Sequence, residues 1–125
     1  MNEPIMFLNR VEFTGIVGAT KVETVGEGTL VRMSVATEYA YTINGEHYID
    51  TTWHNVSAFD NTPEKNLTSI RKGYVVNIKG RIRRYKMTDN YGNDKIECEI
   101  VARKVNILST DRLPLIPEKE PTEDK

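Results

Sequence analysis

The chain has 125 residues, enough for one compact domain with little left over for a second. Hydrophobic residues make up 38% and charged residues 28%, the mean hydropathy is -0.49, and no apolar run approaches the ~20 residues of a membrane span, so a membrane-spanning composition is excluded. The net charge of -1 excludes a protein basic throughout, and the single cysteine, Cys98, excludes an internal disulfide framework or a cysteine-built zinc site.

The opening MNEPIMFLNR lacks the basic and then apolar regions of a secretory signal, so a reducing cytoplasm is the expected compartment. Leu8–Gly18 reads as a first strand, with Gly15 and Gly18 as bulge or bend points. Gly26 and Gly28 mark a turn before a second strand over Leu30–Thr37. Asn44-Gly45 then sits between two β-rich runs, the pattern of a tight hairpin, and Tyr48–Phe59 is the third strand. The period changes at Asn61-Thr62-Pro63-Glu64, which reads as a capped helix start; Leu67 and Ile70 share its buried face and Gly73 ends it. Tyr74–Met87 is a fourth strand, Asp89–Asp94 a turn, and Lys95–Leu108 a fifth strand. From Ser109 onward, three prolines and mixed charges without periodicity predict a mobile tail. The expected fold is therefore all-β: a five-stranded OB-fold, a Greek-key barrel with one short helix between strands 3 and 4. Its domain spans residues 6–109, with a short, mildly acidic, disordered C-terminal tail over 110–125.

Charge is unevenly spread. Residues 1–110 carry 14 Lys and Arg against 13 Asp and Glu, while residues 111–125 carry 3 against 5. Residues 71–86 hold seven basic side chains and no acid, which makes a local basic stripe on a near-neutral chain. Side chains alternate along a strand, so parity sorts them into faces. In the fourth strand Val76, Ile78, Gly80 and Ile82 suit the interior, while Asn77, Lys79, Arg81, Arg83 and Tyr85 share the outer face. In the third, His54, Val56 and Ala58 share one face, and Trp53, Asn55, Ser57 and Phe59 the other. The large rings thus accompany polar residues rather than aliphatic ones, as on an exposed stacking platform; packing of Trp53 in a subunit interface is the alternative. Arg32 alternates with the interior residues Val31, Met33 and Val35 and extends the basic surface, and Tyr39, Tyr41 and Tyr48 flank the Asn44-Gly45 turn.

Several spaced motifs in one order, Asn9-Arg10-Val11 with Gly15 and Gly18, Thr52-Trp53-His54 with Phe59, Arg71-Lys72-Gly73, Ile78-Lys79-Gly80, and Thr88-Asp89 with Gly92, resemble the bacterial single-stranded DNA-binding proteins. The resemblance implies a protein that coats single-stranded DNA with little sequence preference during replication, recombination and repair. It implies stacking on Tyr41, Trp53 and Phe59, with Tyr85 and Met87 further along, and contacts from Arg10, Arg32, Asn55, Lys79, Arg81 and Arg83. Tyr41 and Met87 stand where relatives commonly carry tryptophan, which implies weaker binding per site. It further implies a homotetramer through the first strand and a cytoplasmic, nucleoid-associated location. The family's acidic, apolar-tipped tail is missing, because this chain ends PEKEPTEDK, so recruitment of replication and repair proteins is not expected to run through it. The alternative is a replication-restart or mobile-element accessory OB-fold protein acting mainly through protein–protein contacts.

An enzyme is not expected. His47 and His54 fall on opposite faces if one strand carries both, Cys98 shares parity with Ile96, Ile100 and Ala102 and reads as buried, and Glu97 and Glu99 read as a solvated edge. No phosphate-cradling glycine motif is present, and no catalytic residue, cofactor, metal or membrane partner is expected.

Overall fold

The computed structural model describes residues 5–60 and 67–111. Five strands, β1 (Val11–Val25), β2 (Gly28–Ile43), β3 (Glu46–Asp60), β4 (Val75–Thr88) and β5 (Asp94–Ser109), close into a barrel in the order β1-β2-β3-β5-β4. All neighbours run antiparallel except β3 and β5, which pair in parallel over Val56–Ala58 and Ile100–Ala102. Closure rests on β1. Its first half, Val11 to Ile16, pairs with β4, and from Ile16 onward it pairs with β2. Gly18 and Ala19 stand opposite the single residue Ser34, a bulge that sharpens the bend needed to serve both neighbours. Ser34 is fully buried there, and its Oγ accepts the amide of Ala19 at 3.0 Å.

Alternation fills the interior. Val17, Val31, Met33, Val35, Val56, Ala58, Val76, Ile78 and Ile100 form one core, closed at one end by Leu67 and Ile70. His54 points inward with the aliphatics, stacks on Phe13 at 4.1 Å and hydrogen-bonds Thr37 Oγ1 through Nε2 at 2.9 Å. The expected helix between β3 and β4 is a single 3-10 turn, Leu67–Ser69, among the described residues; its anticipated cap and proline, Asn61–Glu64, lie outside them. Leu67 and Ile70 are three apart, which suits a 3-10 turn as well as an α-helix, so their burial does not distinguish the two.

The strands outrun the barrel. β2 and β3 continue as one hairpin arm, β4 and β5 as another. The first turns at Asn44-Gly45, whose φ values of 52° and 81° are the left-handed pair a two-residue hairpin requires. The second turns through Asp89, whose Oδ1 accepts the amides of Tyr91 and Asn93 at 2.9 Å each. Those bonds, that to Asn93 foremost, hold the Asp89 carboxyl below the usual carboxylate range. On the arms, period-2 alternation has no core to serve. Ile82, expected inside, is 43% exposed, and Cys98, expected buried, lies exposed on the arm. Both sit beyond the point where β4 and β5 leave the barrel.

Burial holds His54 below the ordinary imidazole range. Between that lowered value and about 6.5 the unfolded chain binds more protons than the folded one, so stability is complete above about pH 6.5 and declines as pH falls through that window. Denaturant melts at pH 7.5 and pH 5.5 should show this decline, and His54→Gln should flatten it. A second expectation concerns Gly18, where a Cβ would stand 2.5 Å from Trp53 Cζ3. Gly18→Ala should displace the indole, read as a shift in tryptophan emission, while far-ultraviolet circular dichroism still reports the barrel.

Candidate nucleic-acid interface

The outer face of β3 carries the two rings that alternation placed there. Trp53 is half-buried and packs over Gly18 of β1, and Phe59, 45% exposed, packs over Gly28 of β2. In each case a neighbouring strand offers a residue without a side chain as the seat for a ring, which fixes the ring without burying it in the core. The seat of Trp53 has a cost: its indole N–H is buried and meets no acceptor among the described residues. Between the rings lie Asn55, half-buried, and Ser57, buried.

The β2–β3 arm adds a ladder of phenols. Tyr39 stacks on Tyr41 at 6.1 Å, and Tyr41 on its cross-strand partner Tyr48 at 5.4 Å. The Tyr41 hydroxyl donates to Asp50 at 3.4 Å and that of Tyr48 to Glu46 at 2.9 Å. Desolvation, followed by the charge and hydrogen bond of Asp50, raises the Tyr41 pKa, so the phenol stays neutral. No lysine or arginine lies between Arg32 and Lys65, so this arm supplies rings and no cations. On the other arm, Met87 is 48% exposed and Tyr85 is half-buried. The Arg83 guanidinium lies 4.4 Å over the Tyr85 ring, covering one of its faces.

The cations divide into two sets. Arg10, Lys79 and Arg81 line one groove of about 750 Å³ between the segment leading into β1 and strands β4 and β5. Asn9 holds that segment to β4: its Nδ2 donates to the Ile82 carbonyl at 2.8 Å, and its Oδ1 accepts the Ile82 amide at 2.9 Å. The side-chain amide thereby continues the β1–β4 ladder past Val11 and Gly80. The one acid lining the groove, Glu12, accepts from Asn77 Nδ2 at 3.2 Å. A fourth cation in this groove, Arg103, was missed in the sequence. Register shifts between Lys79 and Gly80, which pair with Lys104 and Ala102, so Arg103 is the extra residue of a bulge. Its signal was present in the chain, because apolar alternation changes phase from Ile100 and Ala102 to Val105 and Ile107.

Arg32 and Arg83 are committed elsewhere. Arg83 Nη1 donates to Glu99 Oε2 at 2.6 Å, Arg32 Nη1 lies 3.7 Å from Glu99 Oε1, and Arg32 Nε lies 3.4 Å from Glu23. Glu99, read from the sequence as part of a solvated edge, has a side chain only 9% exposed. Its neighbour Glu97 pairs with Lys95 at 3.6 Å. The acid-free basic stripe of β4 is thus flanked by acids that pairing with β5 brings beside it.

Among the described residues the two histidines do not come together. His47 sits on the β2–β3 arm with Nδ1 3.1 Å from Thr42 Oγ1, while His54 faces the core. Among the described residues no cluster of metal-ligating side chains forms, and no helix is long and apolar enough to cross a membrane.

Residues 8–108 match the model of the single-strand binding protein family. A mitochondrial single-stranded DNA-binding protein of Drosophila melanogaster is 34% identical over 101 residues, covering 78% of this chain and 69% of that protein. The single-stranded DNA-binding protein of Rickettsia typhi is 32% identical over 108 residues, covering 79% and 68%. Among solved structures, the Plasmodium falciparum SSB complex with single-stranded DNA superposes with a TM-score of 0.71 at 25% identity, over 89% of this chain and 100% of that one. A single-stranded DNA-binding protein of Thermus aquaticus shares the fold at 20% identity, with a TM-score of 0.70 over 83% of this chain and 52% of that one. With its closed five-stranded barrel and a match across all five strands, this chain belongs to the single-strand binding protein family.

Proposed function

We propose that this protein is a non-enzymatic coat for single-stranded DNA, binding with little sequence preference and serving replication, recombination and repair. Trp53, Phe59 and the Tyr41 ladder stack bases, which any base satisfies through its π-face. Arg10, Lys79, Arg81 and Arg103 hold phosphates. The observation that carries this reading is the groove in which those four cations converge without an ion-pair partner among the described residues. Tyr85 offers bases only the face that Arg83 leaves open, and Met87 a soft contact near the arm tip. Asn55 lies between the stacking rings as a hydrogen-bonding group. Family membership favours this reading over an accessory protein acting through protein contacts. The same reading takes residues 6–109 as the binding domain and 110–125 as a mildly acidic segment outside it, in a homotetramer that lengthens the DNA path. Its place is the cytoplasm, at the nucleoid.

The single tryptophan, Trp53, reports binding directly. Titration with oligo-dT should quench its fluorescence, and equal lengths of duplex should not. Affinity should fall with salt at a log–log slope of about 0.7 per phosphate held, and Arg103→Gln should reduce that slope by about one such unit. Trp53→Ala, followed by anisotropy of a labelled oligonucleotide, should lose about 1–3 kcal/mol of binding while the barrel stays folded. Absence of quenching at low salt, or equal quenching by duplex, contradicts the proposal.

A further inference from the structure

The most unusual charge on the outer face is Glu99. It is a carboxylate withdrawn from water beside cations and rings, and it bridges two arginines from different strands. Lys21, Glu23, Arg32, Glu99 and Arg83 form a belt of alternating sign, with links of 3.7, 3.4, 3.7 and 2.6 Å. The belt starts on β1, passes through β2, spans β3 and ends on β5 and β4. Where it crosses β3, the register places Arg32 opposite Ser57, between Trp53 and Phe59 along that strand. A nucleic acid running from one ring to the other must therefore pass over the belt.

We propose that Glu99 is a built-in stand-in for phosphate, which occupies Arg83 in the free protein and yields it only in exchange for a backbone phosphate. The inference rests on the single-stranded DNA reading above. A guanidinium makes the same paired N–H donations to a carboxylate as to a phosphate, so the two acceptors compete for one donor set. The partners differ in freedom: the Arg83 side chain is 45% exposed and turns outward readily, whereas Glu99, at 9%, stays where it is. When Arg83 leaves Glu99 for a phosphate, one DNA counterion is released but the freed carboxylate takes up another cation, so the exchange adds nothing net to the salt dependence of binding while Glu99 is charged. Arg32 remains tied to Glu23 even without Glu99, so Arg83 is the cation that the exchange releases. Its departure also uncovers the Tyr85 ring face for a base. Glu99 thus sets how tightly this protein grips its strand, apart from the open groove at Arg10, Lys79, Arg81 and Arg103.

The test compares wild type with Glu99→Gln, which keeps side-chain shape and removes the charge, by anisotropy of labelled oligo-dT across a salt series. Glu99→Gln should bind more tightly, with a salt slope steeper by about 0.7, so that its advantage shrinks about 2.5-fold between about 50 and about 200 mM salt. Adding Arg83→Gln to that variant should remove the extra slope. Glu99→Asp withdraws the charge by one methylene and should move the slope the same way by less; it serves as the test if the glutamine variant does not fold. A slope equal to or shallower than wild type in these variants overturns the proposal, and assigns Glu99 to holding the arginines in place. Failure of wild type itself to bind oligo-dT would instead overturn the function on which the proposal rests.

Discussion

The architecture depends on one strand serving two neighbours. β1 pairs with β4 through its first half and with β2 through its second, and the barrel closes only because the strand bends between them. Closure removes the free edges of a five-stranded sheet and turns one face of every strand inward, where valine, isoleucine and methionine pack without water. It also decides what lies outside. The bulge that lets β1 bend leaves Gly18 beneath Trp53, so the device that closes the sheet also seats a ring on its surface.

A second bulge works in the same way on the far side. At Arg103 the extra residue of β5 delivers a cation into the groove that Asn9 shapes by clamping the leading segment to β4. Each of these two irregularities brings a ring or a cation to the outer surface, while alternation along the strands builds the core. Two arms extend this surface beyond the barrel with contrasting chemistry: one bears stacked tyrosines among acids, the other arginines, lysines and a half-covered tyrosine. The tyrosine-rich arm carries no lysine or arginine, so its surface differs in kind from that of the other arm.

Charge pairing across strands corrects the simplest view of the surface. Along β4 alone, Arg81 and Arg83 look equivalent, two positions apart on one face. Pairing with β5 separates them: Arg83 faces Glu99, and Arg81 faces Val101 and the groove. One is held by a buried carboxylate and the other is open to a ligand. Linear charge density is therefore a poor guide to which cations are available, because the acid that neutralises a strand comes from its neighbour.

Much of this was legible in the chain by itself. Five runs of β-rich sequence, the Asn44-Gly45 turn and the alternation of Val31, Met33 and Val35 or Val76 and Ile78 specify strands with one buried face, since period-2 patterning has no other low-energy use. The separation of Trp53 and Phe59 from Val56 and Ala58 followed from the same parity. Short-range rules could not say where the barrel ends, so Ile82 and Cys98 kept an inward parity on arms that have no inside. Nor could they pair residues far apart in sequence. Glu99 lies sixteen positions from Arg83 and sixty-seven from Arg32, and only the closed sheet brings the three within ion-pair distance. Alternation is a local property of the backbone and is written in the sequence; the partner of a charge depends on register between strands, which tertiary structure alone decides.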